Sequence, residues 1–123
     1  MIVLVAVAVG AMLGAPARFV IDRAVQVRFG TAFPWGTFTV NVTGSLILGL
    51  LMGVSAHHHV PAEVVAAVGS GFCGALTTYS TFGYETVGLL TRGAPRSALW
   101  NVVGSIAAGV TAAGLGFAIG HVM

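Results

Sequence analysis

Charged side chains are scarce in this sequence, at 7% of 123 residues, whereas soluble proteins carry about 25%. Lysine is absent, the five basic residues are all arginine, and only three residues are acidic. The scattered arginines form no basic stripe, which argues against nucleic acid as a partner. With 57% hydrophobic residues, the composition indicates a protein embedded in membrane lipid rather than a water-soluble domain.

A single cysteine, Cys73, is present. One cysteine excludes an intrachain disulfide framework and a cysteine metal cluster, and its apolar neighbours indicate an inert core side chain. The sequence also lacks a phosphate-binding P-loop and any nucleophile–base pair or cluster of metal ligands. We therefore expect no ATP site and no enzymatic activity.

Long apolar stretches make up most of the chain. A membrane helix takes about 20 apolar residues, so four spans and their turns use nearly the whole length. We expect one all-α integral membrane domain with four transmembrane helices at residues 2–22, 35–56, 61–90 and 97–121. No basic residue precedes the first stretch, which favours a retained helix over a cleaved signal peptide.

Small residues recur every fourth position in two of these spans. Gly10 and Gly14 do so in the first span, and Ser45, Gly49 and Gly53 do so in the second. Such steps let membrane helices approach closely. They therefore predict one packing face on each helix.

The third span is unusually polar, because hydroxyl side chains and the glycines Gly69, Gly71 and Gly74 crowd its middle. Irregular backbone is tolerated within a membrane only where protein buries it or where it lines a cavity. We therefore expect a broken third helix. Four helices from one chain are too few to enclose a pore, so we also expect the chain to oligomerise.

Arginine is distributed unevenly between the two sides of the membrane. The first and third loops hold Arg23, Arg28, Arg92 and Arg96, and the opposite side holds no arginine. The positive-inside rule then predicts these loops in the cytoplasm and both termini outside. The expected location is the inner (plasma) membrane, crossed several times.

Polar side chains within the spans are candidates for function. Asn41 lies mid-span, where an amide needs a partner, so it either joins two helices or lines a pore. On a helix, Thr78, Phe82 and Glu85 share one face, which is either a packing interface or a path for an anion. Glu85 is the sole acidic residue within a span, and such a carboxylate is a functional candidate.

The remaining polar residues give weaker signals. Arg18 lies where the first apolar stretch stops, and either reaches the interface or supplies positive potential to an anion vestibule. The adjacent His57, His58 and His59 point in different directions on any regular element, so a solvated loop is favoured over a metal site. His121 is expected at the interface.

Three motifs relate the sequence to a known family. They are Gly14-Ala15-Pro16-Ala17-Arg18, the stretch GTFTVNVTGS at residues 36–45, and GFCGALTTYSTF at residues 71–82 followed by Glu85. On these residues the chain resembles the CrcB/Fluc family of small fluoride channels. The resemblance spans the chain and implies an antiparallel dimer of four-helix subunits that exports fluoride passively and so reduces its toxicity.

The resemblance also implies roles for individual residues. Arg18 matches the first-helix arginine of the family. The backbone carbonyls of Gly74 and Thr77 would hold a structural sodium ion at the dimer centre, where a helix break frees oxygen ligands. The implied fluoride pathway consists of Asn41, Tyr79, Ser80, Thr81, Phe82, Glu85, Asn101 and Ser105.

The sequence departs from the family pattern at two places. Tyr79 stands where the family usually has phenylalanine, and Trp100-Asn101 stands where the fourth-helix polar track often begins with tyrosine. The arginine bias adds a hypothesis about the partner. An antiparallel homodimer needs a subunit that inserts both ways, so a strong bias favours pairing with an oppositely oriented paralogue over pairing with itself.

Two other functions compete with a fluoride channel. A small proton-coupled multidrug exporter would have a similar length, but it needs a carboxylate in its first helix. Here the first acidic residue is Asp22, beyond Arg18. The second alternative is a non-conducting packing subunit of a membrane complex, which would tolerate replacement of Asn41 and Phe82.

Overall fold

The computed structural model describes all 123 residues, and all of its regular elements are helices. Three helices are long and apolar enough to cross a membrane: α1 (Ile2–Phe29), α2 (Trp35–Ser55) and α6 (Pro95–Val122). α1 extends beyond the expected span, which ended at residue 22, and Pro16 lies inside it without ending it. The helices are α1 (Ile2–Phe29), α2 (Trp35–Ser55), α3 (Ala62–Val65), α4 (Gly74–Leu76), α5 (Ser80–Thr91) and α6 (Pro95–Val122), with a π-helical segment (Ala66–Cys73) between α3 and α4.

The third segment, residues 62–91, is interrupted rather than continuous. Its π-helical part continues into α4, and the backbone becomes extended at Thr77 (φ −84°, ψ 160°) before α5 begins at Ser80. The break therefore falls at residues 77–79, within the polar stretch that predicted it. Because of this interruption, the third segment is not among the three helices that could each span a membrane.

Glycines bring α2 and α6 into direct backbone contact. A Cβ on Gly49 would lie 2.1 Å from the Ala113 carbonyl oxygen, and one on Gly53, four residues on, would lie 2.2 Å from that of Phe117, also four residues on. The contacts advance in the same direction along both helices, so α2 and α6 run parallel. The small-residue face predicted for the second span packs on α6.

The first helix packs in the same way on the π-helical segment. A Cβ on Gly10 would lie 1.9 Å from the Ala67 carbonyl oxygen, and one on Gly71 would lie 2.5 Å from that of Val7. Gly14 faces Phe72 of this segment and Ala75 of α4. The Gly10–Gly14 step therefore fixes the half of the third segment that precedes the break.

The alternating helix directions give the molecule two chemically different ends. The arginine end comprises the last turns of α1, the first turn of α6, and the α1–α2 and α5–α6 connections, with Arg23, Arg28, Arg92 and Arg96. The histidine end comprises the α2–α3 connection and the last turn of α6, with His57, His58, His59 and His121. The third segment returns the chain from the histidine end to the arginine end.

Few side chains are buried within the single chain. Only 19 of 123 residues are buried, and the outward faces of α1 and α6 carry exposed apolar side chains such as Leu13 and Val110. In water this surface would be unstable, whereas lipid covers it without cost. The exposure therefore fits a multi-pass membrane protein.

Candidate functional site

Asn41 hydrogen-bonds to the backbone at the break in the third segment. Its Nδ2 donates to the Thr78 carbonyl oxygen at 3.0 Å, and its Oδ1 accepts from the Thr78 N–H at 2.8 Å. The side-chain amide thus replaces the backbone partners that Thr78 loses where the helix stops, which membrane-embedded backbone requires. Asn41 therefore joins α2 to the third segment, and one of its two amide hydrogens is left over.

A cluster of hydroxyl groups lies at the start of α5. The Thr78 Oγ1 donates to the Thr81 Oγ1 at 3.1 Å and accepts from the Thr81 N–H at 3.2 Å. The Ser80 Oγ lies 3.4 Å from the same oxygen. Helix N-termini carry free N–H groups and partial positive charge, so the cluster and the helix end together offer donors to an anion.

The Asn41 cavity, of about 680 Å³, opens beside this cluster. Tyr79 and Phe82 line it with ring centroids 6.1 Å apart and planes inclined by 44°. The Tyr79 side chain is 85% exposed, so the cavity is open to the outside of the chain. It is lined by Asn41, Gly44, Ser45, Leu48, Gly69, Cys73, Gly74, Thr77, Thr78, Tyr79, Phe82, Val102, Ser105, Ile106 and Gly109.

Arg18 points to the break rather than to the membrane interface. Its Nη1 donates to the Thr77 carbonyl oxygen at 3.3 Å. The side chain also lines the Arg18 cavity, of about 180 Å³, together with Asp22, Thr37 and Thr81. The guanidinium therefore brings a permanent positive charge next to the hydroxyl cluster.

The Gly74 carbonyl oxygen accepts no hydrogen bond within the chain. The N–H of Thr78, four residues on, donates to Asn41 instead. The Thr77 carbonyl oxygen accepts from Arg18 and has a second lone pair. These are the two carbonyls that the resemblance assigns to sodium, and each keeps at least one lone pair unused, which is what a hard cation requires of its oxygen ligands.

Glu85 lies apart from the Asn41 cavity. It lines a third cavity, of about 380 Å³, with Gln26, Tyr84 and Arg92 on the arginine side of the break. Its Oε1 is buried and has no hydrogen-bond partner. Glu85, the one acidic residue of the spans, thus lies nearer the arginine end than Tyr79 and Phe82 do.

Asn101 is fully buried, with 1% exposure, and lies outside these three cavities. Its Nδ2 donates to the Thr86 Oγ1 at 2.8 Å, which fastens α6 to α5. Ser105, one turn further along α6, donates to the Asn101 Oδ1 at 3.4 Å and lines the Asn41 cavity. Of the two residues expected on the fourth-helix track, only Ser105 faces the cavity.

Apart from Glu85 and Asn101, the expected pathway residues are divided among three places. Asn41, Tyr79, Phe82 and Ser105 share the Asn41 cavity, whereas Thr81 lines the Arg18 cavity. Ser80 contacts the hydroxyl cluster outside the three cavities. Thr78 lines both the Asn41 and the Arg18 cavities. Thr78 therefore lies between the two cavities.

Sequence reasoning missed several partners. Asp22 shares the Arg18 cavity, and the four-residue spacing from Arg18 on one helix could have revealed this. No sequence signal could have paired Asn101 with Thr86, or His57 with His121. These pairs depend on contacts between different helices.

Comparisons with a family model and with individual proteins identify the same family. The family model described as CrcB-like protein, Camphor Resistance (CrcB), matches residues 5–117. The chain is 55% identical over 115 residues to the fluoride-specific ion channel FluC 1 of Frankia casuarinae, covering 89% of each. It is 53% identical over 104 residues to that of Streptomyces avermitilis, covering 85% of this chain and 84% of the relative. This chain therefore belongs to the CrcB family, a family of fluoride channels and not of enzymes.

Proposed function

We propose that this chain conducts fluoride passively across the inner membrane and so lowers cytoplasmic fluoride. The observation that carries the proposal is the break at residues 77–79, where Asn41, hydroxyl groups and two aromatic rings surround one cavity. The two relatives reported above are fluoride-specific ion channels. The main-chain irregularity and the donor set lie together at the same depth of the bundle.

The donor set suits a small, strongly hydrated anion. A pore must replace the water of the ion with hydrogen-bond donors. Asn41 has one spare amide hydrogen, Ser80 and Thr81 carry hydroxyls, and the edges of Tyr79 and Phe82 have partial positive charge. Arg18 adds positive potential near the break. Flow then follows the gradient, with no energy source in the chain.

A second chain is needed to complete this path. Tyr79, Ser80 and Thr81 are exposed on the single chain, and polar groups facing hydrocarbon are unfavourable. An antiparallel partner covers this face and encloses the Asn41 cavity. In such a dimer, the Gly74 and Thr77 carbonyls of both chains meet and are the proposed ligands of a structural sodium ion.

The arginine bias bears on which partner completes the dimer. Arg23, Arg28, Arg92 and Arg96 all lie at one end, so one insertion direction is favoured. We propose an oppositely oriented paralogue as the partner, with self-pairing as the alternative. With a paralogue as partner, the termini of this chain lie outside the cytoplasm, whereas self-pairing would place the termini of one copy on each side.

Fluoride efflux from liposomes tests the proposal. The chain is reconstituted alone and with an oppositely oriented paralogue, and efflux is read with a fluoride electrode against a chloride control. Fast fluoride-selective efflux in either preparation supports a channel. Efflux from the chain alone overturns the paralogue hypothesis, and no efflux from either preparation overturns the proposed function.

Replacing Phe82 by leucine separates conduction from packing. Favourable ring contacts between aromatic side chains are worth about 0.5–1.5 kcal/mol. With a contribution of that size to the passing ion, Phe82→Leu should slow efflux about two- to twelvefold. The control is Phe29→Leu, since Phe29 is exposed at the arginine end, and it should conduct normally. Unchanged efflux in the Phe82 variant would favour the non-conducting packing subunit.

Efflux of a cationic drug driven by a proton gradient would instead favour the multidrug exporter.

A further inference from the structure

We infer that His57 and His121 form a binding site for a divalent transition metal of the zinc class at the histidine end. The Nε2 atoms of the two rings lie 3.0 Å apart, and their ring centroids are 4.0 Å apart. His57 follows α2 and His121 lies in the last turn of α6, so a bound ion would join the ends of two helices. The fluoride path does not use either residue.

The spacing of the two nitrogens matches that of two ligands on one ion. Two imidazole nitrogens that bind zinc tetrahedrally at about 2.0–2.1 Å lie about 3.3 Å apart. The observed separation is 3.0 Å, so small rotations of two exposed rings admit the ion. Imidazole nitrogen is a preferred ligand of zinc, copper and nickel.

Backbone packing holds the two histidines together. A Cβ on Gly53 would lie 2.2 Å from the Phe117 carbonyl oxygen and 2.9 Å from the His121 nitrogen. Gly53 thus lets the last turn of α6 lie against the end of α2. The Phe117 ring stacks on the His121 ring with centroids 5.5 Å apart and planes inclined by 23°, which orients that imidazole.

To bind a metal through both Nε2 atoms, the two imidazole rings need only a change of tautomer. The present contact needs one Nε2 to donate and the other to accept. When both Nε2 atoms bind a metal, each ring keeps its hydrogen on Nδ1, as in ordinary histidine ligation. No third His, Cys, Asp or Glu side chain is placed with these two, so water fills the other positions.

The electrostatic surroundings admit a cation. Arg23, Arg28, Arg92 and Arg96 lie at the opposite end of the molecule. The charged side chain that follows the α2–α3 connection is that of Glu63, in α3, and it is acidic. His58 and His59 are exposed and make no side-chain hydrogen bond. They are near in sequence but are not members of the proposed pair, which makes them controls.

Calorimetric titration with Zn²⁺ tests the site on purified protein in detergent, with a histidine-free affinity tag. We expect one ion per chain in the micromolar range. Both His57→Gln and His121→Gln should weaken binding about tenfold or more, whereas the double variant His58→Gln/His59→Gln should bind as the wild type does. Thermal melting without metal checks that each variant is folded.

Cu²⁺ electron paramagnetic resonance gives a second measurement. Hyperfine coupling to two imidazole nitrogens is expected in the wild type and coupling to one in the His121→Gln variant. The proposal is overturned if the wild type binds no Zn²⁺ at micromolar concentration. It is equally overturned if the His58/His59 double variant loses binding while His121→Gln keeps it, because the loop alone would then be the ligand.

Discussion

At the scale of single residues, Asn41 shows how one side chain makes an irregular backbone possible. A helix that stops within the membrane leaves main-chain groups without partners, each of which costs several kcal/mol in hydrocarbon (~4–8 kcal/mol). The Asn41 amide bonds both the N–H and the carbonyl of Thr78. The packing and pore interpretations of Asn41 are therefore compatible, since the same amide keeps one hydrogen for the cavity.

Replacing Asn41 by aspartate tests both roles. The carboxylate keeps the acceptor for the Thr78 N–H but faces the Thr78 carbonyl with a second oxygen, so two acceptors oppose each other. We expect a loss of about 1–3 kcal/mol in the free energy of unfolding and loss of fluoride efflux. Thermal melting in detergent and liposome efflux measure these effects.

The control for this variant is Thr43→Val on the same helix. Thr43 is half-buried and makes no side-chain hydrogen bond, so a substitution of equal shape should change neither stability nor efflux. If Asn41→Asp conducts fluoride at the wild-type rate, the amide is not part of the path.

At the scale of helices, glycine positions decide which surfaces meet. Gly116 and Gly114 both lie in α6, two residues apart. A Cβ on Gly116 would lie 2.3 Å from the Leu46 carbonyl oxygen, whereas nothing lies within 4 Å of one on Gly114. The two positions share helix propensity and differ only in their neighbours.

Alanine at these two positions should therefore have opposite effects. Gly116→Ala forces α2 and α6 apart and should lower the free energy of unfolding by about 1–3 kcal/mol. Gly114→Ala should leave stability unchanged or raise it by about 0.5–1 kcal/mol, because alanine favours a helix interior. Melting temperatures in detergent compare the pair, and equal shifts would contradict the backbone contact between α2 and α6.

At the scale of the whole molecule, the two ends differ in charge. One end has Arg23, Arg28, Arg92 and Arg96, and the other has four histidines. An antiparallel homodimer places both kinds of end on each side of the membrane, which conflicts with a fixed orientation. The distribution of charge therefore connects insertion direction to the choice of partner.

Labelling in intact cells measures that direction. In a Cys73→Ala background, His58→Cys should react with a membrane-impermeant maleimide from outside, and Thr31→Cys should react only after lysis. Both positions are exposed in loops at opposite ends. Equal labelling of the two variants in intact cells would mean that the chain inserts both ways, and self-pairing would then be favoured.

The sequence by itself determined the class of the protein. Scarcity of charge and long apolar stretches require lipid as the solvent, small residues at four-residue spacing mark packing faces, and a polar stretch with Gly69, Gly71 and Gly74 marks the broken segment. These features depend on composition and local spacing. The three motifs identified the family, which the comparisons confirmed.

The tertiary structure alone decided which polar groups meet. It separated Asn101 from the cavity that holds Asn41, turned Arg18 to the Thr77 carbonyl, and brought His121 beside His57. The bonded residues of the last pair are 64 positions apart. Contacts of this kind depend on how helices pack, and helix packing depends on the shapes of all the faces at once.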